Sequence, residues 1–283
     1  MKLAIIGCGS IGKRHLNNLL EMKELELFAY DRDEDRLAEL SGLSVQSSHK
    51  IVRLWEWKPD AVIICTPPDH HYRIALQALT KECHVFCEKP LATNYADAKR
   101  MTDEARARGK VLACGYQLRF TDLHLEFERW KWDRDLVITH YQDMSTWPSQ
   151  YKKDMLEEFS HEIDTAVYFN GPVKALMAFR NGLGWQLELT HLHARSSMNL
   201  FAGNTLGIVR MVSGYKGGAG TGRWHFDQQD NDDAYKKELA QFIRACTDGI
   251  MGNQLCAAAE AAHVVRIIEA CRESAKYHSV VRP

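Results

Sequence analysis

The residues whose types and spacing most clearly suggest a chemical function lie at the start of the chain. The apolar run of residues 3–6 is followed by Gly7, Gly9 and Gly12 in the spacing G-x-G-x-x-G. This spacing is typical of a strand that turns tightly into a helix, whose free N–H groups and dipole bind a pyrophosphate. Gly7 would permit the turn, Gly9 would let phosphates approach the backbone, and Gly12 would let the helix pack closely on the strand. The alternative is a glycine-rich turn without a ligand.

A carboxylate follows at the distance that a dinucleotide site requires. Residues 25–30 form the second predicted strand, and Asp31 at its end lies 19 residues beyond Gly12. An acid at this position accepts hydrogen bonds from the adenosine ribose and repels a 2′-phosphate, which favours NAD over NADP. Arg32 could tolerate a 2′-phosphate, so NADP stays an alternative, although a solvated arginine is the preferred interpretation.

A lysine stands just beyond another predicted strand. Residues 60–65 form a continuous apolar strand that Thr66 and Pro67 end, and residues 84–87 form the next strand, with Lys89 two residues beyond it. Ligands bind at the carboxyl ends of strands in doubly wound sheets. The proline after the lysine restricts the lysine's backbone. Taken alone, such a Lys-Pro pair is more often structural than catalytic.

A histidine lies on the polar face of a predicted helix over residues 155–170. The helix has one apolar stripe and, on a different face, four polar residues at spacings of four, three and four. These polar residues are Glu157, His161, Asp164 and Tyr168. The separation of the two faces leaves His161 free to face a ligand, although a histidine on a helix is more often structural or solvated.

The order of the predicted elements indicates two domains in an α/β chain of 283 residues. Strands alternate with amphipathic helices over residues 1–118, which predicts a Rossmann domain with a doubly wound parallel sheet. Residues 119–283 contain strand-like runs separated by Asn-Gly or Gly-Asn turns, typical of an α/β domain with an open, largely antiparallel sheet. Residues 213–233 lack periodicity and are predicted to be a loop.

Four segments together resemble the Gfo/Idh/MocA family, the glucose-fructose oxidoreductase and inositol dehydrogenase group. They are Gly7-Cys8-Gly9-Ser10-Ile11-Gly12 with His15, Cys65-Thr66-Pro67-Pro68, Val85-Phe86-Cys87-Glu88-Lys89-Pro90-Leu91, and the helix with Glu157 and His161. The resemblance is very specific over residues 1–120 and looser afterwards. It implies oxidation or reduction of a sugar-like alcohol with NAD(P), and a second domain whose sheet often mediates dimers or tetramers.

The resemblance also implies roles for single residues. Lys89 and His161 would handle the proton of the reacting hydroxyl. Glu157 takes the place of the family's usual aspartate, with a side chain one methylene longer, and with Asp164 it would contact the substrate. Arg119, in a segment that resembles the family's crossing between domains, would contact the substrate or form an interdomain salt bridge.

The predicted cofactor contacts lie on the glycine loop, at strand ends and in the crossing segment. They are Gly7, Gly9, Ser10, Ile11, Gly12, Asp31, Arg32, Thr66, Pro67, His71, Glu88, Lys89 and Gln117. No metal site is predicted, because the histidine pairs at 70–71 and at 191 and 193 lack a convincing third ligand.

Composition argues against several other classes of protein. The 36 Lys plus Arg and 37 Asp plus Glu leave a net charge of −1, which gives no general attraction to nucleic acid or anionic membrane. No run approaches the roughly 18 apolar residues of a membrane span. The eight cysteines include no C-x-x-C pair, so reduced buried thiols and a cytoplasmic location are expected.

The leading hypothesis is an NAD-preferring dehydrogenase that acts on a secondary alcohol of a sugar, cyclitol or nucleotide sugar and forms a homodimer or homotetramer. One alternative is a sensor that binds the cofactor without catalysis, which the presence of Lys89 and His161 disfavours. Another is an NAD-assisted glycosidase of the same fold, in which transient oxidation enables elimination.

Overall fold

The computed structural model describes residues 1–122, 135–143, 156, 158–181, 184–191, 195–203, 209–215, 221–227 and 232–283. The chain divides into two compact units. The first consists of Met1–Phe120 and Asp232–Ala262, and the second of Thr121–Asn231 and His263–Pro283.

The strands and helices are numbered here in chain order. The strands are β1 (Lys2–Ile6), β2 (Glu26–Tyr30), β3 (Gln46–Ser48), β4 (Ala61–Ile64), β5 (His84–Glu88), β6 (Leu112–Gly115), β7 (Asp135–Asp143), β8 (Ala175–Asn181), β9 (Gly184–Thr190), β10 (Arg195–Gly203), β11 (Val209–Tyr215), β12 (Thr221–Asp227) and β13 (Cys256–Ala257). The helices are α1 (Ser10–Leu20), α2 (Glu34–Ala38), α3 (Ile51–Trp57), α4 (His71–Thr80), α5 (Tyr95–Ala107), α6 (Ser160–Asn170), α7 (Asp232–Asp248) and α8 (Ala258–Tyr277).

The first unit contains a sheet in the order β13-β6-β5-β4-β1-β2-β3. The strands from β6 to β3 are parallel, and β13 pairs with β6 antiparallel. The four residues of β4 are fully buried, as expected for a central parallel strand covered on both faces. The predicted doubly wound parallel sheet is confirmed.

Helix α7 belongs to the first unit although it lies far along the chain. Its residues Leu239 and Phe242 are fully buried in the same apolar cluster as Leu3 of β1. The Glu238 carboxylate also accepts a hydrogen bond of 2.8 Å from the Tyr116 backbone. The two units therefore differ from the expected domains, because part of the expected second domain, residues 119–283, belongs to the first unit. Helix periodicity identifies the buried face of a helix but not the sheet on which that face packs.

The second unit contains a sheet in the order β12-β11-β7-β10-β9-β8. Its pairs are antiparallel except for β10 with β7, so the predicted open, largely antiparallel sheet is confirmed. Strand β12 lies inside residues 213–233, and the prediction of a loop there was wrong for this part. The glycines of this stretch weaken the strand signal, while pairing with β11 supplies the hydrogen bonds.

Strand β9 has one buried and one exposed face. Trp185, Leu187 and Leu189 are at most 3% exposed, whereas the residues between them are polar and exposed. The apolar face is therefore buried within the chain and gives no support to an oligomer, which stays a prediction. Among the described helices, none has the length and apolar character needed to span a membrane.

The predicted burial of the cysteines is confirmed for most of them. All eight cysteines are free thiols, and seven of them are buried.

Candidate functional site

The glycine loop between β1 and α1 has the geometry of a phosphate-binding turn. Gly7 has a φ of +99°, and a Cβ there would lie 2.8 Å from the Cys65 carbonyl oxygen. A Cβ on Gly12 would lie 1.9 Å from the Gly7 carbonyl oxygen, whereas a Cβ on Gly9 would meet only Arg36, at 3.8 Å. Gly7 and Gly12 thus permit the turn and the close helix, and Gly9 leaves space above the loop.

The first turn of α1 offers backbone N–H donors. The helix begins at the exposed Ser10, and its N-cap, Gly9, supplies no side-chain hydrogen bond to that turn. Ile11 is half-buried in the same turn. N–H groups at a helix start, together with the helix dipole, favour an anionic ligand.

Asp31 lies at the end of β2 with its carboxylate held by the backbone. Its Oδ2 accepts from the Cys8 N–H at 2.7 Å, and its Oδ1 accepts from the Asp33 N–H at 2.9 Å. Burial, reinforced by the charge of Asp31, raises the pKa of the Cys8 thiol to about 12, so this thiol stays protonated. A carboxylate has about four acceptor sites, which leaves capacity for ribose hydroxyls.

Sequence reasoning missed Arg36 and selected Arg32 as the cation near Asp31. Arg36 Nη1 lies 3.5 Å from Asp31 Oδ2, and its Nε lies 3.4 Å from Asp33 Oδ2. Arg32 is exposed, and within the described chain it has no ion pair. The sequence signal that could have identified Arg36 is its spacing from Asp31, because a residue in the first turn of α2 can reach back over the end of β2.

The loops after β4 and β5 are joined by His71. The His71 ring is fully buried, with Nδ1 2.9 Å from the Pro90 carbonyl oxygen and Nε2 2.8 Å from the Thr66 carbonyl oxygen. Burial lowers the pKa of His71, and the two carbonyl contacts oppose this effect. Thr66 Oγ1 is buried and, within the described residues, has no hydrogen-bond partner. Pro67 is exposed in the same loop.

A buried histidine supports the backbone beside Lys89. Glu88 Oε1 lies 2.7 Å from Nε2 of the fully buried His15, and Glu88 Oε2 accepts from the Lys89 N–H at 3.2 Å. A Cβ on Gly115 would lie 3.0 Å from Glu88 Oε1, so the glycine makes room for this carboxylate. The Lys89–Pro90 peptide is cis. His15 had been singled out only as part of a motif.

Arg119 forms a salt bridge inside the first unit and not the expected bridge between domains. Its guanidinium is fully buried, and Nη1 lies 2.8 Å from Glu260 Oε2 within the first unit. The side chain of Glu260 is 46% exposed. Gln117 lies in the same short helical turn, Gln117–Phe120, and is also buried.

The predicted helix over residues 155–170 begins five residues later than expected. Helix α6 starts at Ser160, because periodicity does not fix a helix start to within a turn. His161 is therefore its second residue and is half-buried, and Glu157 lies outside the described residues. Asp164 is 1% exposed. The apolar stripe is confirmed, since its members are buried: Leu156, Phe159, Ile163 and Val167.

Two histidines of the second unit, His191 and His263, have structural partners. His191 Nδ1 lies 2.7 Å from the Gly171 carbonyl oxygen, and Nε2 lies 3.0 Å from Ser196 Oγ. His263 Nε2 accepts from the Val173 N–H at 3.0 Å. Within the described ranges, no group of three or more His, Cys, Asp or Glu is arranged to hold a metal ion.

These features define a dinucleotide-binding Rossmann domain. The space at Gly9, the start of α1, the Asp31 carboxylate and the unpartnered Thr66 hydroxyl all suit a dinucleotide. Residues 1–116 match the family model described as "Oxidoreductase family, NAD-binding Rossmann fold". Over these residues the chain is similar to the Gfo/Idh/MocA family, which confirms the resemblance.

Similarity in sequence and similarity in fold extend over different lengths of the chain. A myo-inositol 2-dehydrogenase of Thermotoga maritima is 36% identical over 124 residues, which cover 42% of this chain and 37% of that enzyme. A D-glucoside 3-dehydrogenase of Escherichia coli is 37% identical over 127 residues, which cover 42% and 36%. The matched segment thus spans little more than a third of the length of these relatives.

The fold of the whole chain is also found among solved structures. The WlbA dehydrogenase of Bordetella pertussis, solved with NADH and UDP-GlcNAcA, matches with a TM-score of 0.83 and 19% identity. The match covers 100% of this chain and 98% of that one. This likeness establishes the fold of both units and, at this identity, the fold alone.

Proposed function

We propose that this protein is an NAD(P)-dependent dehydrogenase that prefers NAD and acts on a secondary alcohol of a sugar, cyclitol or nucleotide sugar. The observation that carries the proposal is the edge of the first sheet where β1, β2, β4 and β5 end. There the glycine loop, Asp31, Thr66 and Lys89 follow successive strand ends. Strand ends of a parallel sheet share one edge, so a single extended ligand can meet all four.

Each residue at this edge has a separate task in the proposal. The N–H groups at the start of α1 would bind the pyrophosphate, the Asp31 carboxylate would accept the adenosine ribose hydroxyls, and the Thr66 hydroxyl would bond the cofactor. Bound NAD supplies the hydride acceptor. Glu88 accepts a hydrogen bond from the backbone N–H of Lys89. The ammonium group of Lys89 would exchange the proton of the substrate hydroxyl.

His161 of the second unit is proposed as the partner of Lys89 in this proton transfer. It is half-buried at the start of α6, and its carbonyl oxygen accepts from Thr165 Oγ1 at 2.8 Å. Asp164 and Glu157 stay proposed substrate contacts. For Arg119 the pair that its buried guanidinium forms with Glu260 supports a structural role instead.

The substrate class rests on the relatives. The Thermotoga maritima and Escherichia coli relatives are named for a cyclitol and a glucoside, and the Bordetella pertussis structure holds a nucleotide sugar. These ligands share a ring that carries secondary hydroxyls. We infer the same chemical class for this protein, with the particular ring set by the second unit.

A two-stage screen tests the proposal. In the first stage, NAD and NADP are titrated into the protein, and a rise in Tm identifies the cofactor, since a ligand that binds only the folded state stabilises it. In the second stage, sugars, cyclitols and nucleotide sugars are added with the preferred cofactor, and NADH absorbance is followed. Net NADH formation supports a dehydrogenase. Cofactor binding without turnover of any candidate, at any pH tested, would contradict the proposed activity and favour a sensor.

A further inference from the structure

The buried ring of His71 bridges two backbone carbonyl groups. Nδ1 lies 2.9 Å from the Pro90 oxygen and Nε2 lies 2.8 Å from the Thr66 oxygen, both within hydrogen-bonding distance. The ring is 0% exposed, so water does not compete for either nitrogen. One side chain therefore connects the loop after β4 with the turn after β5.

The number of protons on the ring decides how many of these contacts are hydrogen bonds. A carbonyl oxygen only accepts, so each ring nitrogen must donate. A neutral imidazole has one N–H, and its second nitrogen would place a lone pair against the second carbonyl. Both contacts are hydrogen bonds only in the imidazolium form.

The surroundings of His71 act on its charge in opposite directions, and burial, the largest influence, lowers its pKa. Burial disfavours the imidazolium, while the carbonyls of Thr66 and Pro90 and the Glu88 carboxylate favour it. His70, the preceding residue, opposes it through like charge. Because burial prevails, the imidazolium form is expected on the acidic side of the ordinary histidine range.

The two bridged loops belong to the proposed cofactor site. Thr66 carries the buried hydroxyl that lacks a partner among the described residues, and Pro90 follows Lys89 directly. A change in the distance between these loops would alter the cofactor contacts of Thr66 and the place of the Lys89 ammonium together.

We propose that His71 is a proton-dependent clasp: as an imidazolium it donates to both carbonyls and holds the two loops in the arrangement that binds the cofactor, and on deprotonation it releases one of them. His71 is thus a positioning residue, and its role at the cofactor rests on the function proposed above. By linkage, if the proton on His71 favours cofactor binding, the cofactor must favour the proton to the same extent.

The first experiment observes the ring directly, without turnover. The protein is labelled with ¹⁵N-histidine, and the two ring nitrogens of His71, assigned with His71→Gln, are followed by NMR across about pH 5 to 8. The clasp predicts two protonated nitrogens at the acidic end and one at the basic end, with a midpoint that rises when NAD is added. A ring that keeps one proton throughout, or a midpoint that NAD leaves unchanged, overturns the proposal.

The second experiment measures NAD affinity by calorimetry over the same pH range. Because a hydrogen bond from a charged donor is worth about a tenfold change or more, wild-type affinity is expected to fall roughly tenfold as the ring deprotonates. His71→Gln should bind weakly with little pH dependence. The same substitution at the neighbouring residue, His70→Gln, should keep the fall in affinity but shift it slightly to higher pH, because it removes a like charge beside His71. A His71→Gln variant with the wild-type profile contradicts the clasp.

The outcomes separate this inference from the proposed function. If the wild-type protein binds neither NAD nor NADP, the proposed function fails, and the ring spectrum without cofactor still tests the two-proton state. If NAD binds but the midpoint of His71 does not move, only the clasp fails. If His71→Gln does not fold, the wild-type titrations with and without NAD decide the matter alone.

Discussion

The two units differ in how far their sequence and their fold agree with known proteins. The curated relatives match about 42% of the chain, and the family model ends at residue 116, whereas the structural match covers both units. In the first unit, binding a dinucleotide requires particular residues at particular strand ends. In the second unit, the sheet requires apolar residues only at the positions of its buried face, and the fold does not specify the residues at its exposed positions. This difference explains why single residues support the choice of cofactor, whereas the substrate can be proposed only as a chemical class.

The largest expected effect concerns the two residues proposed to transfer the proton. Lys89→Met should lower kcat by about 10²- to 10⁴-fold, the usual contribution of a general acid or base, with NAD affinity nearly unchanged. His161→Asn should also lower kcat. The double variant should fall little below the worse single variant, because groups that act together are not additive.

Single-turnover hydride transfer, with cofactor binding measured in parallel, checks this prediction. Near wild-type transfer by Lys89→Met with intact NAD binding would remove the lysine from the mechanism. Fully additive losses would instead indicate that the two residues act independently.

The next effect concerns the stability of the glycine loop. Gly12→Ala should destabilise the fold by about 1 to 3 kcal/mol, the usual cost of overpacking, because its Cβ would lie 1.9 Å from the Gly7 carbonyl oxygen. Urea unfolding measures the change. Gly9→Ala is the matched control, since nothing lies closer than 3.8 Å to its Cβ, and it should unfold like the wild type. Equal destabilisation by both substitutions would argue against the described loop.

A smaller effect is expected on the choice of cofactor. Arg36→Gln removes the cation nearest to Asp31, which should weaken NADP binding by about tenfold and leave NAD binding nearly unchanged. Arg32→Gln, at the exposed neighbour of Asp31, is the control and should change neither. Calorimetric titration with both cofactors decides between them. A larger effect of Arg32→Gln on NADP binding would support Arg32, as considered from the sequence, as the residue that meets the 2′-phosphate.

The smallest effect is a loss of stability in acid that arises in the second unit. Burial lowers the pKa of His191 and of His263, so the folded chain keeps both rings neutral while the unfolded chain protonates them. Their contribution is present above the unfolded pKa of about 6.5 and is lost as the pH falls below it. Urea midpoints between about pH 7 and 5 should fall less in a His191→Asn variant than in the wild type. An equal fall would place the acid sensitivity elsewhere.

The sequence predicted best those features that depend on neighbours along the chain. The parallel strands of the first unit were recognisable because burial on both faces makes them continuous apolar runs, as in β4. The turn at Gly7 was recognisable because its positive φ suits glycine. The start of α6 and strand β12 were missed, because a helix start and a glycine-containing edge strand depend on contacts made in the folded chain.

The partners of the site residues could not be predicted, since they come from distant parts of the chain. His15 meets Glu88 across 73 residues, and Arg119 meets Glu260 across 141. A motif identifies which side chains take part in a site, but the contact that fixes each one depends on how the strands are ordered in the sheet. His71 illustrates this, because it was predicted to contact the cofactor, whereas its two ring nitrogens lie on backbone carbonyls.

Calorimetric titration of NAD into the wild type and Gly9→Val tests the central claim most directly. The account predicts that the two proteins have nearly the same Tm, because a Cβ at Gly9 would meet only the flexible Arg36 side chain, at 3.8 Å. It also predicts that NAD affinity falls by at least about tenfold in Gly9→Val, because the new side chain occupies the place of the pyrophosphate. A Gly9→Val variant that folds and binds NAD as tightly as the wild type would show that the dinucleotide does not bind at this loop.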